Sequence, residues 1–235
     1  MRKEFIIRVR KLIENMIKQL KQYDRLNESL FLGSLSILCL AFSIFRFVYT
    51  DTKIFLFLNW NLFLAFLPWL FSTILIIYPN LQKSRFVISG LVLLWLLFFP
   101  NSPYILTDLF HLRLDTSMPI WFDLLLILSF AWVGLLFGFM SLWDIEKILS
   151  QMIGKRFMPL ISLSLLFLGS FGIYLGRYLR WNSWDIIREP FEIFYDISDR
   201  LINPFHNART WGMTIFMFIF LSMIYWSFRF IKKRS

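Results

Sequence analysis

The segment 100–111, Pro-Asn-Ser-Pro-Tyr-Ile-Leu-Thr-Asp-Leu-Phe-His, carries the residue types best suited to chemistry. Read as a helix, it places Tyr104, Thr107, Asp108 and His111 on one face and turns Ile105, Leu109 and Leu112 away. Ser102 is expected to cap this helix, with Pro103 at its first position. A hydroxyl, a carboxylate and an imidazole one turn apart can act as acid and base or hold a metal. Asp108 is the expected general base, with His111 or Asp123 assisting. Asp108, His111 and Asp123 would offer three oxygen or nitrogen ligands, and His206 another if it folds inward. That spacing alone assigns no metal and no cofactor. The competing reading is an interfacial helix whose acid pairs with a nearby arginine.

A second cluster lies at 177–185, Arg-Tyr-Leu-Arg-Trp-Asn-Ser-Trp-Asp. Arg177 and Arg180 are spaced to share a face and could clamp a phosphate or carboxylate. Snorkelling at a membrane interface, or an ion pair to Asp108, Asp123 or Asp185, would use the same residues. The candidate binding set is Arg177, Arg180, Asn101, Tyr104, Asn59, Asn61, Asn182 and Asp185. Asn59 and Asn61 suit hydrogen bonds between helices equally well. Trp181 and Trp184 suit an interfacial aromatic belt.

The elements that position these residues are apolar helices. The 235 residues are 58% hydrophobic and 17% charged, with 29 Phe and 10 Trp, more apolar surface than one soluble core of this size could hide. Cys39 is the single cysteine, which excludes a disulfide scaffold. About 20 apolar residues cross a bilayer, and six runs qualify: 30–49, 54–78, 86–99 with its continuation past Pro100, 120–143, 157–179 and 210–228. Alternating strand patterning is absent, so the expected fold is all-α, an integral membrane bundle of six transmembrane helices. The third run offers only 14 apolar residues, about 21 Å of helix, so a break is expected near Pro100 at outer-leaflet depth. Gly134-x-x-x-Gly138, Gly169, Gly172 and Gly176 are packing signals.

Charge orients the bundle. Residues 1–29, 79–85, 144–156 and 229–235 hold 17 of the 25 Lys and Arg residues, so the positive-inside rule places both termini in the cytoplasm. The net +10 is then a topological signal, and no nucleic-acid partner is expected. Residues 1–29 form a basic amphipathic segment with Phe5, Val9, Leu12, Met16 and Leu20 at helical spacing, suited to an anionic membrane surface. Residues 30–228 form the membrane domain and 229–235 a basic tail. A second amphipathic helix is expected at about 190–202, on the outer face. Arg46 can snorkel at the outer end of the first span. No Asp, Glu, Lys or His falls at mid-span, which argues against a proton-coupled transporter.

The run 100–111 resembles the signature of a family of bacterial membrane proteins catalogued as domain of unknown function 1361. Residues 177–185 are similar to its second signature, and 59–68 also fits its pattern. The resemblance implies a six-span protein of the bacterial cytoplasmic membrane and supplies no activity. The residues themselves point to an outward-facing polar pocket. Its leading expected use is hydrolysis or group transfer on a lipid-linked or envelope substrate, with Arg177 and Arg180 on an anionic head group. The alternatives are a non-catalytic ligand-binding or transport module and an assembly partner for another membrane protein. Membrane lipids are expected partners in every case.

Overall fold

The computed structural model describes residues 2–112 and 118–234, with backbone alone for 2–7, 9, 12, 13 and 232–234. Among the described residues the chain is helical with no strand. The order is α1 (Arg2–Gln22), α2 (Leu26–Thr50), α3 (Phe57–Ile77), α4 (Arg85–Phe98), α5 (Asn101–Tyr104), a 3-10 helix (Ile105–His111), α6 (Ile120–Ile153), α7 (Met158–Tyr178), α8 (Asp185–Arg188), α9 (Pro190–Ile202) and α10 (Ala208–Arg234). Six segments are long and apolar enough to cross a membrane: α2, α3, Arg85–His111, α6, Lys155–Tyr178 and Ala208–Ile231. The molecule is a polytopic membrane protein.

The centre is α6, the most buried of the six. It packs on α2, α3, α5 and α7, while α10 packs on α7. Its 34 residues span about 51 Å, longer than the ~30 Å hydrocarbon layer. The helix therefore continues past the expected end of the apolar run at residue 143, to Ile153, with its last turns beyond the hydrocarbon layer. Asp123 and Asp144 are both buried on α6, about 31 Å apart along its axis. Each is neutralised by an arginine from the start or end of α2: Arg46 for Asp123 and Arg25 for Asp144. The two ion pairs thus sit near the two faces of a membrane-thick layer.

The Asp144 end carries the termini. Asp144 also accepts from Ser72 Oγ at 2.9 Å, and Glu28 accepts from Trp69 Nε1 at 2.6 Å as well as from Arg25. Glu146, two residues further on, takes Arg229 Nη1 at 2.8 Å together with the hydroxyls of Ser162 and Tyr225. Asp144 and Glu146 are thus buried pins that, with the half-buried Glu28, join α2, α3, α6, α7 and α10. A carboxylate out of water survives only with such partners. On α1, Met16 is exposed, while the Phe5, Val9 and Leu12 side chains lie outside the described residues.

The Arg85–His111 segment departs from expectation in detail. Phe99 and Pro100 both keep right-handed helical angles, and Ser102 lies inside α5 without capping it. Ser102 Oγ donates instead to the Ala65 carbonyl of α3 at 2.9 Å. The stretch is a tight wedge pushed into glycine seams on two helices. A Cβ on Gly134 or Gly138 of α6 would meet Ser102 at 2.6 or 2.9 Å. On α7, a Cβ on Gly169 would meet Phe99 at 2.7 Å, and one on Gly172 would meet Pro100 at 2.5 Å. In lipid, such close backbone approach and interhelical hydrogen bonds are what hold helices together.

Candidate functional site

The wedge places its polar face against the end of α7, where Arg177 gathers it. Arg177 Nη2 lies 3.2 Å from Asp108 Oδ1 and also donates to the Thr107 carbonyl. Its Nη1 donates to Tyr104 Oη at 3.3 Å and lies 3.1 Å from His111 Nε2. The guanidinium is stacked near two rings, Tyr104 at 5.2 Å and Phe110 at 5.4 Å, a cation–π arrangement that suits a partly desolvated arginine. Asp108 Oδ2 accepts from Asn61 Nδ2 of α3 at 2.8 Å. Tyr104, Asp108 and His111 thus meet at Arg177, while Thr107 offers only its backbone carbonyl and turns its hydroxyl to the Tyr104 carbonyl at 2.7 Å. Ile105–His111 winds as a 3-10 helix rather than with the α-helical spacing expected. Asp108 is 1% exposed, and His111 is exposed with its ring 5.2 Å from Phe57.

Asp123 belongs to a different set of partners. Its carboxylate is held by Arg46 Nε at 2.6 Å and Nη2 at 3.1 Å, with Arg46 Nη1 on Thr52 Oγ1 at 2.8 Å. Arg46 is 2% exposed and lies over the Phe55 ring, so the expectation of snorkelling is corrected: it is an interior ion pair between α2 and α6. Asn59 ties α3 to α2 through Ser43 Oγ at 2.9 Å. His206 is exposed. No group of three or more His, Cys, Asp or Glu able to hold a metal occurs among the described residues.

Beyond Arg177 the chain turns over the top of the wedge. Arg180 adopts the left-handed region at φ 62°, a conformation that costs a non-glycine residue about 1–2 kcal/mol. The turn lets Trp181 N–H reach the Leu175 carbonyl at 3.2 Å. Arg180 is exposed. Asp185 Oδ2 accepts from the backbone and side-chain amides of Asn182 at 2.7 and 2.9 Å, closing the turn that starts α8. Ser183 Oγ donates to the Leu97 carbonyl at 2.9 Å and accepts from Asn101 Nδ2 at 3.0 Å. The two sequence clusters are thus locked to each other.

A cavity of about 830 Å³ opens beside this lock, between α4 and α7 and under α9. Leu93, Leu94 and Leu97 of α4 face Leu168, Phe171 and Leu175 of α7 across it. Asn61, Asn101, Tyr104, Asn182 and Ser183 gather at its polar end, with Trp60 and Trp181. Leu93 and Leu168 are 67% and 47% exposed, so the walls reach the lipid-facing surface of the bundle. Asp108, His111, Asp123, Arg177, Arg180, Asn59 and Asp185 do not line it. Asn61 and Tyr104 connect it to the Asp108–Arg177 pair behind.

Helix α9 forms the cover. Ile193 and Ile197 line the cavity, while Phe191, Phe194, Tyr195, Leu201 and Ile202 are exposed. Trp181 Nε1 donates to Asp196 at 2.7 Å, and Trp211 Nε1 donates to the Arg200 carbonyl at 3.1 Å. Hydrogen bonds from Asn203 and Asn207 hold the Asp199 carboxyl below its ordinary range. At the start of α9, a hydrogen bond with Glu192 and its charge push Glu189 upward.

Several contributors were not singled out from sequence. Trp181 suited an interfacial belt yet anchors α9, and Ser183 joins both clusters. Trp60, Phe171 and the α4 leucines needed the gap between α4 and α7 to become meaningful. The available signal was the face Leu168, Phe171, Gly172, Leu175 and Gly176, where small residues alternate with bulky ones.

A family model described as "Protein of unknown function (DUF1361)" matches residues 60–224, a range that contains every residue lining the cavity. No curated protein and no solved structure matches the chain. The chain, a six-span helical membrane protein, belongs to the DUF1361 family.

Proposed function

We propose that this protein binds an amphipathic membrane lipid or lipid-linked molecule, with its apolar chain between α4 and α7 and its head at the asparagine-rich end. The observation that carries this reading is the 830 Å³ cavity itself, apolar along its length and polar at one end. Its size falls at the upper part of the range of ligand sites, about 300–1,000 Å³. Exposed Leu93 and Leu168 on its rim favour access from within the bilayer rather than from water. Binding is favoured over catalysis because a general base must come within hydrogen-bond reach of its substrate. Asp108 is buried, ion-paired and outside the cavity lining. Its role here is to hold Arg177 and Asn61, and through them the polar end. The basic residues near the termini support a cytoplasmic-membrane location with both termini inside, so the head-group end faces outward.

Native mass spectrometry of the full chain released from lipid nanodiscs tests this. The wild type should retain bound lipid, and Leu168→Trp, which fills the groove from an exposed position, should lose most of it at unchanged expression. Equal lipid retention in both proteins would overturn the reading. An enzyme would instead require Asp108→Asn to abolish turnover of a bound lipid while leaving its occupancy intact.

A further inference from the structure

The polar end of the groove has a chemical preference that its hydrogen bonds reveal. Three asparagines line it, and each has committed amide hydrogens to an acceptor. Asn61 Nδ2 donates to the Asp108 carboxylate, Asn101 Nδ2 to the Phe98 carbonyl at 2.9 Å, and Asn182 Nδ2 to the Asp185 carboxylate. Carboxylates and carbonyls only accept, so these contacts fix which end of each amide is the oxygen. Each Oδ1 is left with no protein hydrogen bond, and those of Asn61 and Asn101 are not sealed inside the protein. Ser183 has its proton on the Leu97 carbonyl. Tyr104 accepts from Arg177 and keeps its own proton to give.

Charge is missing from the same surface: no Asp, Glu, Lys or Arg lines the cavity. Arg177, which touches Tyr104 of the lining, is neutralised by Asp108 and engaged by Thr107, Tyr104 and His111, and Arg180 is exposed outside the lining. A phosphate whose oxygens are all ionised or esterified only accepts, and it would confront three carbonyl oxygens with nothing to donate to them and no cation in the lining to offset its charge. A hydroxyl both donates and accepts, and it matches a site that mixes three amide oxygens with the Tyr104 phenol and the second N–H of Asn61 and of Asn182. Leaving a desolvated acceptor unmatched is the dominant cost in such recognition.

Resting on the lipid-binding reading, we propose that the groove selects a lipid with an uncharged, hydroxyl-bearing head, a diacylglycerol or a glycosylated lipid, over an anionic phospholipid. This departs from the anionic head group expected from Arg177 and Arg180.

The full chain is placed in phosphatidylcholine nanodiscs doped at equal mole fraction with diacylglycerol, glucosyl diacylglycerol or phosphatidate of identical chains. Bound lipid is read by native mass spectrometry. One of the two hydroxyl lipids should exceed phosphatidate in occupancy by about tenfold. Preference for diacylglycerol identifies a small head, and preference for the glucosyl form identifies a sugar. Asn182→Ala, at an exposed turn, and Asn101→Leu, close in volume, should each reduce that preference without raising phosphatidate binding. Phosphatidate occupancy equal to or above both hydroxyl lipids overturns the inference, as does an unchanged preference in both variants. Leu168→Trp separates the two levels. If Leu168→Trp abolishes binding of all three lipids while the wild type binds phosphatidate as well as the others, only the head-group preference fails. If it changes none of them, the groove reading fails with it.

Discussion

Arg46 and Arg177 are both arginines near one end of the bundle, yet their surroundings give them different work. Arg177 keeps an exposed imidazole, a phenol and a carbonyl around it, so its fork organises a surface. Arg46 is sealed with Asp123, Thr52 and the Phe55 ring. Removing one member of a buried pair leaves the other charge without compensation, whereas replacing both with apolar groups of similar volume is often tolerated. Asp123→Leu, which leaves Arg46 with Thr52 as its remaining hydrogen-bond partner, should therefore destabilise the protein by about 3–5 kcal/mol. Adding Arg46→Met should recover most of that loss. Thermal unfolding of the two variants in nanodiscs checks this, and a double variant no more stable than the single one would contradict it.

Among the elements, the wedge at Phe99–Tyr104 does what helix–helix contact does elsewhere in the bundle. Glycine seams on α6 and α7 receive Ser102, Phe99 and Pro100 rather than each other's helix backbone. Gly134 faces the Ser102 carbonyl at 2.6 Å from an added Cβ, and backbone cannot swing away as a flexible side chain can. Gly33 and Gly212 have nothing within 4 Å of such a Cβ. Gly134→Ala should therefore cost about 1–3 kcal/mol from overpacking. Gly33→Ala should be neutral or stabilising by up to about 1 kcal/mol from helix propensity. Measured unfolding temperatures should separate the two, and similar shifts for both would dissolve the wedge account. Because α5 also carries Asn101 and Tyr104, disturbing a seam should loosen the head-group end as well.

For the whole molecule, the two layers of buried charge on α6 and the distribution of basic residues describe one axis. Arg25, Asp144, Glu146 and Arg229 lie at the termini-bearing end, and the cavity's polar end lies at the other. Cys39 is 2% exposed, so the native chain offers a quiet background for thiol labelling. Gln151→Cys, exposed at the end of α6, should react with a membrane-impermeant maleimide only after the membrane is permeabilised. Phe205→Cys, at a position 95% exposed beyond α9, should react on intact cells. The reverse pattern would invert the orientation and turn the groove's head-group end toward the cytoplasm.

Much of this was legible in the residues alone. Hydropathy set the six spans because a membrane-crossing helix must satisfy its backbone internally and be apolar for about 20 residues. Periodicity put Tyr104, Thr107, Asp108 and His111 on one face, and helix signals bounded α9 at Pro190 and Ile202. The α9 bounds are a local property of helix geometry, whereas the polar face is so only in part, because Ile105–His111 winds as a 3-10 helix and Thr107 joins Arg177 through its carbonyl alone. The choice of partners was not local. Asp108 meets Arg177 and Asn61 while Asp123 meets Arg46, across separations of 47 residues or more, and nothing in the spacing of the acids distinguishes them. The glycine pattern announced close approach without saying that a wedge, not a helix, would approach. The cavity is decided last of all, because a void is what remains where α4 and α7, 60 residues apart in sequence, fail to close on each other.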